Sequence, residues 1–264
     1  MTPLAVYLDF DSKFFFQILF SPAFVWPAIL VIEITLVAQT AGIIFGFFLA
    51  LGRMSRNPVF KLPVDLYLWI FRGTPLVLQI LFIYDGTAEL FNNPPLLYPI
   101  TRNAVIAGTL ALALNEAAYM TEIIRAGLQA VDPGQVDAAK ALGMNRWQVM
   151  TRIVIPQAMR IIVPPTFNEY INMSKNTSLL VIMGGVAELL FTAQAFYSAN
   201  FRVFEALAVA AIWYLLITTI LTQIHSAIEK PFAEGQHIPR EGTNVMRRLM
   251  LVGGRRGTRP PMRR

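Results

Sequence analysis

Residues 132–157 read DPGQVDAAKALGMNRWQVMTRIVIPQ and separate long apolar segments on either side. The stretch contains acidic and basic side chains throughout, so it cannot lie in lipid. Asp132 can cap a helix N-terminus, Pro133 suits the first helical position, and Gln135 stands at the capping-box position. We therefore predict that a short helix begins here, in water between membrane spans.

The same stretch predicts a second short helix. Gly143 is a natural stop for the first helix, and Asn145 can cap a helix that begins at Arg146. Three alanines leave one side of the first helix nearly flat: Ala138, Ala139 and Ala141. A flat surface on a rigid helix can fit closely into a groove on a partner. A solvated loop with a chance run of alanines is the alternative.

Composition places the chain among multi-pass membrane proteins. Of 264 residues, 55% are hydrophobic and 14% are charged, against about 25% charged in soluble domains. The chain has no Cys, and its two histidines, His225 and His237, are too far apart in sequence to suggest a metal site. We predict no catalytic site and no metal site. The basic residues do not belong to a soluble fold, so nucleic acid is not an expected partner.

Hydropathy predicts an all-α membrane protein with about five transmembrane helices. Each segment has the roughly 20 residues that a bilayer requires. The predicted spans are about 26–51, 62–84, 103–124, 161–190 and 203–228. Three parts follow from this pattern: an outer interfacial segment (1–25), a transmembrane domain (26–231) that includes the loop 132–157, and a basic, disordered cytoplasmic tail (232–264). The tail either anchors the inner side in water or binds anionic lipid.

The distribution of Lys and Arg predicts the orientation. Basic residues concentrate after the first span, in the central loop and in the tail, while the opposite side has only Lys13, Arg102 and Arg202. By the positive-inside rule, the N-terminus is outside and the central loop and C-terminus are cytoplasmic. We therefore expect a multi-pass membrane protein whose two termini lie on opposite sides of the membrane.

The fourth predicted span has a polar face. Glu169, Asn172 and Asn176 follow at helical spacing, and Lys175 lies beside them. Charged groups in a membrane are costly and usually line a water-filled path or form an internal pair. Two interpretations remain open. The face lines a translocation path, or Lys175 pairs with Glu169 or Glu116 and only holds helices together.

Two other spans contain polar interruptions. Residues 71–75 read FRGTP, and Pro75 should bend the helix because it lacks a backbone N–H. This bend is either a gate in the pore wall or a packing kink. The predicted gate residues are Arg72, Gly73, Thr74 and Pro75. On the third span, Glu116 and Tyr119 form part of a polar edge.

The central loop resembles that of permease subunits of ATP-binding-cassette importers. Their cytoplasmic loop has EAA, three residues, Gly, nine residues, Ile, one residue and Leu-Pro. Asp137-Ala138-Ala139, Gly143, Ile153, Ile155 and Pro156 fall on that spacing, with Asp for Glu and Ile for Leu. The resemblance implies that this loop contacts the ATPase. The residues expected there are Asp137, Ala138, Ala139, Ala141, Leu142, Gly143, Arg146 and Pro156.

Further segments resemble the polar amino acid permeases, the His/Glu/Gln/Arg/opine group. These are 71–75 with Gln79 and Tyr84, 115–119, and the KNTSL of 175–179. Many members have Asp after the Lys of the fourth span, where this chain has Asn176. The resemblance covers roughly residues 30–230 and implies the importer permease fold. The expected substrate path is Glu116, Tyr119, Glu169, Asn172, Lys175, Asn176, Thr177 and Ser178.

The resemblance also implies partners. They are two ATPase subunits, a second permease subunit of the same or a sister chain, an extracytoplasmic solute-binding protein, the amino acid substrate and membrane lipid. No GxxxxGK[ST] sequence occurs in the chain, so we expect ATP and Mg to bind in the partner and no cofactor to bind here. The function expected is alternating-access import of polar amino acids driven by ATP. The alternative is a self-sufficient secondary transporter or channel subunit.

Overall fold

A computed structural model describes residues 10–90 and 102–233 of the chain. Internal contacts group the chain up to Glu229 into one compact unit and the chain from Lys230 onward into a second. The described part of the second unit is the end of the last helix. The first nine residues of the predicted interfacial segment and the predicted disordered tail from residue 234 onward lie outside the described residues.

The described chain is mainly helical. Its helices are α1 Ser12–Leu19, α2 Pro22–Met54, α3 Pro58–Gly73, α4 Leu76–Leu81, α5 Thr87–Leu90, α6 Ala104–Gln129, α7 Pro133–Ala141, α8 Arg146–Val149, α9 Ile155–Asn176, α10 Leu189–Asn200 and α11 Val203–Ala233. Single π-helical turns, Phe82–Gly86 and Met150–Val154, connect α4 to α5 and α8 to α9. A 3₁₀ helix, Thr177–Met183, continues from α9.

The α2–α6 pair is the most extensive helix interface among the described residues. Glycines let the two axes approach closely. A Cβ added at Gly46 would lie 2.7 Å from Met120 Cβ and 2.9 Å from Ala117 O. Because lipid tails are as apolar as the side chains, close van der Waals packing rather than removal from water stabilises such a pair.

Three described helices are long and apolar enough to cross a membrane, Pro22–Met54, Ala104–Gln129 and Val203–Glu229. They correspond to the first, third and fifth predicted spans. The second predicted span is a helix pair, Pro58–Gly73 and Leu76–Leu90, bent by 111° at the break between them. It provides a fourth crossing if the pair is counted as one span.

The segment predicted as the fourth span, 161–190, does not form one apolar helix. Helix α9 ends at Asn176, and the 3₁₀ helix after it ends at Met183 and is followed by Gly184, whose φ of +66° is left-handed. Helix α10 then follows from Leu189, which the sequence pattern did not indicate. The polar face of this segment lies within α9, and the helical backbone stops only at Gly184, where a left-handed φ favours glycine.

The N-terminal helix is attached to the last helix. The backbone N–H of Asp11, which caps α1, donates to Glu205 Oε1 at 2.7 Å. Trp213 Nε1 donates to Leu19 O at 2.9 Å. Both acceptors are buried or nearly so, so these bonds hold α1 against α11. That α1 lies at the outer interface stays a prediction.

Candidate translocation cavity and coupling loop

A polar cavity of about 660 Å³ opens between α6, α9 and the break that follows α3. Its lining residues are Thr74, Pro75, Leu76, Asn115, Glu116, Tyr119, Glu169, Asn172, Lys175, Asn176 and Leu179. Six of the eight residues expected in the substrate path are among them, together with two of the four predicted gate residues. The structure therefore brings together side chains that are far apart in sequence.

Glu116 is the buried acid of this cavity. Its side chain is held by α2, where Gln39 Nε2 donates to Glu116 Oε1 at 2.8 Å. Glu116 is 3% exposed and Gln39 is fully buried. Glycine at position 42 leaves room for the acid, since a Cβ there would lie 2.6 Å from Glu116 Cγ. This role of Gln39 was not predicted from the sequence, although a Gln inside an apolar span is a usable signal.

The α9 side of the cavity presents both signs of charge. Glu169, Asn172, Lys175 and Asn176 lie along one face of the helix, as their spacing predicts. Glu169 and Glu116 both line the cavity, so it contains two carboxyl groups. Within residues 10–90 and 102–233, Lys175 makes no ion pair within 4.0 Å. The predicted alternative, a structural pair of Lys175 with Glu169 or Glu116, is not present in this conformation.

Thr177 and Ser178 lie outside the cavity lining, unlike the other expected path residues. Thr177 is fully buried and its Oγ1 donates to Ser174 O at 2.9 Å. Ser178 Oγ donates to Lys175 O at 2.7 Å. Both hydroxyls therefore bond to carbonyls near the end of α9, where the helix tightens into the 3₁₀ turn.

A hydrogen-bond network holds the break between α3 and α4. Because Pro75 has no N–H, the carbonyl of Phe71 lacks its helical donor. Gln79 Nε2 donates to that oxygen at 2.8 Å, and Asn115 Nδ2 lies 3.3 Å from it. Gln79 Nε2 also donates to Thr74 Oγ1 at 2.9 Å. Asn115 thus connects the break to the wall of the cavity, a role that sequence spacing could not reveal.

The other two predicted gate residues, Arg72 and Gly73, do not line the polar cavity. Arg72 lies 3.3 Å from Glu122, and its guanidinium lies 5.8 Å from the centre of the Tyr119 ring. Arg72 and Gly73 line a second, charged cavity rather than the first one. Glu122 falls within the third predicted span, about 103–124, but its pairing with Arg72 was not predicted from the sequence.

The central loop has the predicted pair of short helices. Asp132 caps α7 by accepting from Gly134 N at 2.8 Å, and Gly143 has a left-handed φ of +80°. The capping box, however, forms at Asn145, whose side chain accepts from Gln148 N while Gln148 accepts from Asn145 N. Gln135 does not complete a box with Asp132, because its Oε1 accepts from Gln157 Nε2 at 2.6 Å.

Burial separates the loop residues into two groups. Those exposed to solvent are Asp137, Ala138, Ala141, Leu142, Gly143, Arg146 and Pro156. Ala139 differs because it is 4% exposed and packs in the loop's own core with Val131 and Val149. Its packing holds α7 in place, and it does not contribute to the outer surface. Trp147 is 75% exposed beside Arg146 and was missed, although an aromatic in a short polar helix is a signal.

The described residues contain no group of three or more His, Asp or Glu side chains that could hold a metal ion. The polar cavity is lined by two carboxylates, one ammonium and neutral hydrogen-bonding groups. Such a set can bind a small zwitterion through its charged ends.

Several curated proteins are similar to this chain. An arginine transport system permease protein of Corynebacterium glutamicum is 43% identical over 223 residues, covering 82% of this chain and 70% of that protein. An octopine transport system permease protein of Rhizobium radiobacter is 37% identical, covering 80% and 89%. The histidine/lysine/arginine/ornithine transport system permease protein of Escherichia coli K12 is 35% identical, covering 77% and 85%.

The fold also matches solved structures. A chain described as an amino acid ABC transporter with histidines has a TM-score of 0.74 and 36% identity, covering 84% of this chain and 100% of that one. An inward-facing methionine transporter chain has a TM-score of 0.62 at 16% identity, which shows a common fold alone. Residues 42–233 match the family model of the binding-protein-dependent transport system inner membrane component. With most of its length matched, this all-α, multi-pass membrane chain belongs to that family of inner membrane transport components.

Proposed function

We propose that this chain is the transmembrane permease subunit of an ATP-driven importer of polar amino acids. The observation that carries the proposal is the polar cavity between α6, α9 and the helix break, which contains Glu116, Glu169 and Lys175. A free amino acid has an ammonium and a carboxylate, and its passage needs a complement for each. Glu169 and Glu116 face the ammonium, while Lys175 and the Asn176 amide face the carboxylate.

The partners follow from family membership and from the exposed loop. Two ATPase subunits bind at the loop, and ATP and Mg are held there, with no cofactor on this chain. A second permease subunit, identical or a sister chain, completes the pathway. An extracytoplasmic solute-binding protein delivers the substrate. In this orientation the N-terminus is outside and the C-terminus is cytoplasmic, as the Lys and Arg distribution predicts.

The loop and the cavity share one continuous piece of backbone. Helix α8 continues through the π-helical turn Met150–Val154 into α9, which ends at the cavity. ATP-driven movement of the partner is transmitted along α9 to Glu169 and Lys175. The cavity then changes the side to which it opens, provided that the partner contacts the two conformations differently.

Reconstitution tests the importer itself. Proteoliposomes that contain this chain, its ATPase and its solute-binding protein should accumulate a polar amino acid only when ATP is supplied on the ATPase side. Proteoliposomes without the ATPase are the control. Accumulation by this chain alone, driven by an ion gradient, would instead establish a self-sufficient transporter.

Single cysteines test whether the α9 face lines the path. The chain has no native Cys, so Cys at 169, 172 and 176 can be labelled with a water-soluble thiol reagent. We expect labelling at all three that changes with ATP or substrate, and a changed substrate dependence for Glu169→Gln. Uniformly unreactive positions, with rescue of Lys175→Glu by Glu169→Lys, would indicate a structural pair and remove these residues from the path.

A further inference from the structure

A second cavity, of about 770 Å³, lies where α2 ends and where α3 and the last part of α6 meet. Its lining is charged, unlike that of the membrane-facing surfaces around it. The ionisable residues that line it are Arg53, Lys61, Asp65, Arg72, Glu122 and Arg125. Basic side chains outnumber acidic ones by two in this set, so the cavity has an excess of positive charge.

The two carboxylates are already engaged by arginines. Glu122 forms an ion pair with Arg53 and accepts a hydrogen bond from Arg125 Nη2 at 2.8 Å, and Arg72 lies 3.3 Å away. Asp65 pairs with Arg53 at 3.2 Å. Lys61 lines the same cavity, and in the part of the chain that the structure describes it makes no ion pair. The side chains of the cluster therefore carry more positive than negative charge.

The rim of this cavity is strongly apolar on one side. Helix α3 presents Leu62, Leu66 and Trp69 to the exterior, with exposures of 65%, 56% and 75%. Trp69 itself lines the cavity. Indole rings favour the boundary between lipid tails and headgroups, and leucines at helical spacing favour the tails. An anion bound here would thus lie beside a surface suited to hydrocarbon chains.

We propose that this cavity binds the phosphate of an anionic phospholipid, with the acyl chains along the exposed face of α3. Basic pockets between transmembrane helices on the cytoplasmic side are suited to phosphate headgroups. Placing this cavity on that side rests on the orientation given under Proposed function. Lys61 binds the phosphate oxygens through charge-assisted hydrogen bonds. The guanidinium N–H groups that do not contact Glu122 or Asp65 bind these oxygens in the same way.

Two matched variants test the site. Lys61→Gln removes one positive charge from the cavity, and Arg56→Gln removes one from the same segment outside it. Each full-length variant is reconstituted in nanodiscs of phosphatidylethanolamine and phosphatidylglycerol, and lipid retained by the protein is measured by native mass spectrometry. We expect Lys61→Gln to retain about fivefold less phosphatidylglycerol, since one Lys near an anionic surface contributes about 1 kcal/mol. Arg56→Gln should retain as much as the wild type.

Any of four results would overturn the lipid site. Equal retention in all proteins, or equal loss in both variants, would leave only general surface attraction. Full displacement of the retained phosphatidylglycerol by inorganic phosphate would assign the cavity to a soluble anion. A changed dimer population with unchanged lipid retention would assign it to a protein partner. Because lipid retention is read without transport, failure of this inference and failure of the importer function are seen separately.

Discussion

Gln39 positions the carboxylate of Glu116 through a single hydrogen bond. Its amide donates at 2.8 Å from a fully buried position on α2. We expect Gln39→Leu to raise the KM for uptake by tenfold or more with a smaller effect on kcat. The reason is that a hydrogen bond to a charged group contributes about 1.5–3 kcal/mol. ATP-driven uptake in proteoliposomes measures both constants.

Thr35→Val is the matched control for that variant. Thr35 is 2% exposed, one turn from Gln39, and its hydroxyl donates only to Val31 O of its own helix. The Thr35→Val variant removes a buried hydroxyl that does not bond to Glu116, so KM should not change.

A second comparison exchanges the pair, Gln39→Glu with Glu116→Gln, which can restore the hydrogen bond but moves the charge. Full recovery of uptake in the exchanged protein would show that the position of the carboxylate does not matter.

Gly42 determines how closely α2 approaches α6. We expect Gly42→Ala to lower the free energy of unfolding by about 1–3 kcal/mol, because overpacking of a close interface has this cost. The added Cβ would lie 2.6 Å from Glu116 Cγ, which must then move. Thermal unfolding of the purified chain in detergent gives the measurement. Gly73→Ala is the control, since its Cβ would meet nothing within 4 Å, and an equal fall in Tm for both variants would contradict the packing explanation.

In the central loop, here called the coupling loop, contact with the ATPase can be tested separately from folding stability. Asp137 is exposed and its pair with Lys140, at 3.1 Å, lies in solvent, so the pair contributes little to folding. We expect Asp137→Lys to leave the loop folded while reducing substrate-stimulated ATP hydrolysis at least about tenfold, since a reversed charge in a contact is repulsive. The measurement uses the purified complex with its ATPase.

Lys140→Ala is the control for this effect. It removes the same ion pair but leaves the Asp137 carboxylate, so stimulated hydrolysis should stay near the wild-type rate. Retention of full stimulated hydrolysis in Asp137→Lys would show that this surface does not contact the ATPase.

Helix ends in this loop illustrate what short-range signals can provide. The two helices, the glycine turn and the cap at Asp132 all follow from residues within four positions of each other. Gln135 illustrates the limit. Its side chain bonds to Gln157, which is 22 residues later, instead of to the nearby cap. A tertiary partner here competes successfully with the local one.

The orientation of the whole chain in the membrane is a further property that can be tested. We expect a reporter fused after Gly235 to be active in the cytoplasm and one inserted near Asn92 to be active outside. The reason is that Lys and Arg are concentrated in the loops assigned to the inner side. Reporter activity in whole cells measures both positions. The opposite pattern would place the coupling loop outside and contradict the importer function.

The membrane class, the short helices of the loop and three of the five predicted spans, the first, third and fifth, were predictable from the sequence alone. These features depend on composition and on periodicity within one segment, which the sequence contains directly. The polar face of α9 was also predictable, since Glu169, Asn172 and Asn176 follow at helical spacing.

Only the tertiary structure decided which of these groups meet. Glu116 lies with Glu169 in one cavity, Gln39 holds Glu116 from another helix, and Asn115 and Gln79 hold the break at Pro75. The structure also buried Ala139 and removed Thr177 from the cavity lining. Contacts across 36 to 77 residues of chain depend on how helices pack, and packing depends on close approach at positions such as Gly42. Local periodicity specifies the face of a helix, whereas the neighbour of that face is determined by the packing of the whole bundle.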